Sequence, residues 1–104
     1  MNAQVPLQSV RRQPRIDLEA QVSSRRAGRH PYPTTITNLS PGGCCLELPF
    51  GAMVGERIWV TLPGLAPIEA QVGWSGRHLT GCIFSTPLHA AVFETLLTRM
   101  QSDA

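Results

Sequence analysis

Apolar and polar positions alternate along most of this chain, and the period changes only near its end. Leu18, Ala20 and Val22 fall on one face of a stretch at 16–24, which reads as a first strand. The β-branched run Thr34-Thr35-Ile36-Thr37-Asn38-Leu39 reads as a second. Cys44, Leu46 and Leu48 alternate with Cys45 and Glu47 to give a third, and Ile58, Val60 and Leu62 mark a fourth at 57–62. Ile68, Ala70, Val72 and Trp74 share one face of a fifth, and 79–84 forms a sixth. Between them stand turn signals: a polar loop at 23–33 with Gly28, Pro31 and Pro33, then Pro41-Gly42-Gly43, then Pro63-Gly64, then Ser75-Gly76. After residue 86 the spacing becomes helical, with Val92, Phe93, Leu96, Leu97 and Met100 on one stripe. Thr86 as cap and Pro87 in the first turn place that helix at 87–101.

Six short strands separated by turns predict an all-β fold, a six-stranded antiparallel β-barrel, with the C-terminal α-helix plugging an open end or lying on the wall. Trp74 is expected inside the barrel or at its mouth. Residues 1–10 read as a flexible tail and 11–101 as one domain. A chain of 104 residues supports a single modest core. No apolar run approaches the roughly 20 residues of a membrane span, and the N-terminus lacks a secretory apolar stretch, so a cytoplasmic location with no membrane insertion is expected.

Charge and thiols narrow the chemistry. The net charge of +2 is too small for bulk binding to a nucleic acid polymer, and no aromatic platform accompanies it. All nine basic residues are arginine, and six stand in the first third: Arg11, Arg12, Arg15, Arg25, Arg26 and Arg29. Arginine offers a flat forked donor set and a stacking face that lysine lacks. The last three read as a solvated loop. The three cysteines lack the spacing of a disulfide framework, and adjacent Cys44 and Cys45 point to opposite faces of a sheet, so all three read as packing residues or bystanders. His30, His78 and His89 are scattered without ligand spacing, so no metal site is expected. No nucleophile–base pair or carboxylate pair suggests an enzyme.

Two local patterns stand out. Arg11-x-x-x-Arg15, with Arg12 between, lies on an extended segment entering the first strand. Asn38-x-Ser40-x-x-Gly43 lies where the second strand turns into the third. Asn38 and Ser40 are two apart and face the same way in an extended chain, while Gly43 leaves the backbone bare. If the first two strands pair, the arm can fold over this shelf. Guanidinium forks match phosphate oxygens and the O6/N7 edge of guanine, and an anionic guanine nucleotide suits the set.

Taken together, Arg-x-x-x-Arg followed by Asn-x-Ser-x-x-Gly resembles the PilZ domain signature. Pro14-Arg15-Ile16, Val72-Gly73-Trp74 and Gly81-Cys82-Ile83-Phe84 are similar to further landmarks of that family. The resemblance implies a six-stranded barrel with a C-terminal helix, and binding of the bacterial second messenger cyclic di-GMP with no other cofactor. It implies that Arg11 and Arg15 clasp phosphates and guanine faces, that Asn38 and Ser40 bond a guanine, and that Gly43 permits close approach. Asn38 stands where the family more commonly has Asp, which removes a negative charge beside an anionic ligand and adds a donor. The expected action is a receptor whose arm orders on the ligand and signals to a downstream protein. The alternative is a PilZ-like interaction adaptor that binds no nucleotide.

Overall fold

The computed structural model describes residues 15–49 and 51–102. The tail at 1–10 and the site candidates Arg11 and Arg12 lie outside the described residues. The elements in order are β1 (Ile16–Arg26), β2 (Tyr32–Ser40), β3 (Gly43–Glu47), β4 (Arg57–Thr61), β5 (Ile68–Ser75), β6 (Leu79–Phe84) and a helix, α1 (Ala90–Ser102). The strands close into an antiparallel barrel in the order β1-β2-β3-β6-β5-β4, with β4 returning to β1. This is the all-β barrel with a C-terminal helix that the alternation predicts.

The strand interiors follow the period of two. Ile36, Leu39, Leu46, Ile58, Val60, Ala70 and Val72 are almost fully buried, with Cys44, Cys82 and Phe84 among them. Helix α1 adds Phe93, Leu96 and Met100 to the same cluster. The barrel ends differ in kind. One carries the start of β1, the β2–β3 turn and the β4–β5 turn, and α1 lies across it. Leu88 at its approach donates its N–H to the Pro41 carbonyl (2.7 Å), and Arg99 lies over Gly64.

Three expectations change. The loop expected at 23–33 is shorter, because β1 runs on to Arg26 to pair with β4, Arg25 opposite Trp59 and Arg26 opposite Ile58. Two of the three loop arginines are therefore strand residues with partners. Arg25 stacks on the Trp59 ring at 4.3 Å, and Arg26 makes a 2.6 Å ion pair with Glu56. The helix begins at Ala90 rather than 87, because the preceding residues are bound to the barrel: Ser85 N–H to the Glu69 carbonyl and Leu88 N–H to Pro41. His89 then caps it, its Nδ1 accepting from the Ala91 N–H at 3.1 Å.

The third change concerns Trp74, which is 50% exposed on the outer face instead of packing inside or at the mouth. Ala70 and Val72 point inward, and strict alternation would send Trp74 with them. The β5–β6 register slips between Val72, opposite Cys82, and Trp74, opposite Gly81. That bulge inserts Gly73 as an extra residue and turns the indole outward.

Candidate functional site: an outer strip beside the β1 entry

Strand register brings Arg15, the described end of the first motif, to the second motif. Ile16 pairs with Leu39, so Arg15, one residue earlier and exposed, enters beside Ser40. Ser40 in turn pairs with Gly43 across the Pro41-Gly42 turn. That turn is pinned at both carbonyls, Pro41 by Leu88 and Gly42 by the Phe84 N–H at 2.9 Å. Arg15, Asn38, Ser40 and Gly43 therefore share one region of the barrel surface.

Alternate cross-strand rows show what surrounds them. The row Ile16–Leu39–Cys44–Cys82–Val72 belongs to the core. On one side of it, Asp17–Asn38–Cys45–Gly81–Trp74 forms an outer row across five strands. On the other, Ser40–Gly43–Ile83–Gln71 forms a second. Directly opposed residues of a sheet point to the same side, so these two rows share the outer surface. Its centre holds only small residues: Gly43, Cys45 and Gly81. Its margins carry Arg15 just before β1 and Asp17 on β1, with Trp74 and Ile83 (56% exposed) beyond.

Each candidate has a structural situation of its own. Asn38 is half-buried and Ser40 is 6% exposed. The Ser40 hydroxyl donates to the Gly43 carbonyl at 3.3 Å, which leaves its lone pairs as acceptors. A side chain at Gly43 would collide with the carbonyl oxygen of Cys82, so anything larger than glycine there must push β3 and β6 apart. Asp17 was not singled out in the sequence, and only the β1–β2 register places its carboxylate opposite Asn38. Trp74 was read as a packing residue, and the bulge behind it has a signal in Gly73. Among the described residues, no group of His, Cys, Asp and Glu could hold a metal ion.

Away from this strip, titration is shaped by burial and pairing. Cys44 and Cys82 face each other inside the barrel. The Cys44 thiol is pushed well above its ordinary range, first by its hydrogen bond with Cys82 and then by burial. The Arg26 guanidinium, joined by the Met53 N–H, holds the Glu56 carboxyl below its ordinary value against the opposing effect of burial.

The PilZ domain matches residues 9–100 of the chain, both arginine motif positions and all six strands included. The chain belongs to the PilZ domain family. PilZ domains are a cyclic di-GMP-binding family of binding and adaptor domains rather than enzymes. Among solved structures, the PilZ domain of CeSA from a cellulose-synthesizing bacterium superposes with a TM-score of 0.58 at 19% identity, over 86% of this chain and 96% of that one. At that identity the likeness concerns the fold. No curated protein matches the chain. Within the described residues of this PilZ domain, no helix is long and apolar enough to cross a membrane.

Proposed function

We propose that this PilZ domain is a cyclic di-GMP receptor. The observation that carries the reading is the register that sets Arg15 beside Ser40 and Gly43 at the edge of a bare outer strip. Arg11 and Arg15 clasp the phosphates and stack on guanine, and Arg12 adds a further guanidinium at the arm. Asn38 and Ser40 bond a guanine edge, and Gly43 keeps the backbone accessible. Asp17 opposite Asn38 supplies a carboxylate acceptor for the guanine imino and amino hydrogens, offsetting the charge that Asn38 lacks. Trp74 closes the far side of the strip as a stacking face, which suits the indole's exposure. Arginine–phosphate bonds offset the entropy lost when the arm is held, and the held arm presents a new surface to a downstream protein.

Calorimetric titration with cyclic di-GMP, beside GTP and cyclic GMP, tests this reading. Heat with cyclic di-GMP alone is expected. Arg15→Ala is expected to abolish it while leaving the melting temperature of the free protein unchanged, since Arg15 is exposed and outside the strands. Absence of heat with the wild type overturns the reading. The exposed pair Trp74 and Ile83 favours the second reading, an adaptor that meets a protein through this face without nucleotide.

A further inference from the structure

Gly81 and Gly73 are placed as a reciprocal pair. A Cβ at Gly81 would fall on the indole Nε1 of Trp74 and lie 2.5 Å from its Cδ1 and Cε2. A Cβ at Gly73 would lie 2.9 Å from Cδ1 of Ile83. Each bulky outward side chain is thus seated on the bare backbone of the neighbouring strand. Trp74 nevertheless stays half-exposed, so one side of the indole rests on β6 and the rest is open. Any side chain at 81 would force it off β6, because the obstruction is the rigid ring itself.

We infer that Gly81 is a positioning residue for the ligand face: it is the notch that sets the Trp74 indole in the Asp17–Asn38 row. The inference rests on the cyclic di-GMP reading for its functional half. An aromatic ring already fixed on backbone has less freedom left to lose when a base stacks on it. Cys45, between Asn38 and Gly81, keeps the floor low, so the ring and the polar pair can address one planar ligand.

The test uses the full chain with Trp59→Phe, so that Trp74 alone emits. Gly81→Ala is expected to shift Trp74 emission to the red and increase its quenching by acrylamide. It is also expected to weaken cyclic di-GMP binding about tenfold, the scale of one lost base stack. Trp74→Ala should weaken binding similarly, and Gly81→Ala added to it should cost nothing more, in affinity or melting temperature, because the clash has gone. Unchanged emission in Gly81→Ala, or losses that multiply in the double variant, overturns the inference. If the parent chain binds no cyclic di-GMP, the receptor reading falls by itself. The emission and melting comparisons then still decide the notch, with unchanged emission overturning it.

Discussion

Gly43 stands where β3 approaches β6 so closely that a methyl group would meet the Cys82 carbonyl oxygen. The obstructing atom is backbone in the middle of a closed barrel, so neither side can yield cheaply. Gly43→Ala is expected to cost about 1–3 kcal/mol in chemical denaturation, whatever it does to ligand binding. Glu56 shows a different kind of dependence. Its carboxyl is held low by Arg26, so its stabilising contribution is present above the unfolded carboxylate's value and is lost as pH falls through the lowered folded one. Glu56→Gln should therefore melt below the wild type at neutral pH, and the two melting curves should converge on acidification. Convergence is read by calorimetry across a pH series. The two motifs stood out in the sequence because residue type and spacing alone suggest what chemistry they could offer. Asp17 was not, because a lone exposed aspartate gains meaning only from what stands opposite it.

At the scale of elements, alternation located all six strands, and errors arose where register overrides period. The β5 bulge is the clearest case: Val72 and Trp74 look equivalent in sequence, yet one is core and the other half-exposed. β2 slips likewise, with Ile36 and Leu39 both fully buried though three apart, across an irregularity in the β2–β3 pairing. Helix α1 was legible as a stripe, and its start was not, because tertiary hydrogen bonds hold 85–88 to the barrel. Its last buried anchor is Met100, 1% exposed. Met100→Ala is expected to destabilise the fold by about 2–5 kcal/mol, measured by denaturant unfolding, through the cavity it leaves.

For the whole molecule, barrel closure decides which groups meet water. Cys44 and Cys82 are far apart in sequence and adjacent in the core, and the Cys44 thiol is kept protonated by its neighbour and by burial. A protonated, enclosed thiol is a poor nucleophile. Iodoacetamide at neutral pH is expected to leave Cys44 and Cys82 unmodified in the native protein and to label both in denaturant, as mass spectrometry of the peptides would report. Labelling of the native pair would mean that the β3–β6 seam opens. Pairing of the first three strands, not closure, brings Arg15 to the second motif, since Arg15 and Gly43 become neighbours through the Ile16–Leu39 and Ser40–Gly43 pairings.

The sequence by itself determined the strand count, the helix, the core face of most strands and the donors and acceptors that the two motifs carry. These follow from local periodicity and from what each side chain can donate, accept or stack on, properties a residue carries before it folds. The tertiary structure alone decided the partners of Arg25 and Arg26, the outward turn of Trp74, the carboxylate facing Asn38 and the seat at Gly81. Those depend on cross-strand register, where a one-residue slip moves a side chain to the opposite face of the sheet. Register is set by which face of each paired strand is buried, by the turns that join the strands and by bulges within them, and these exist only once the strands have paired.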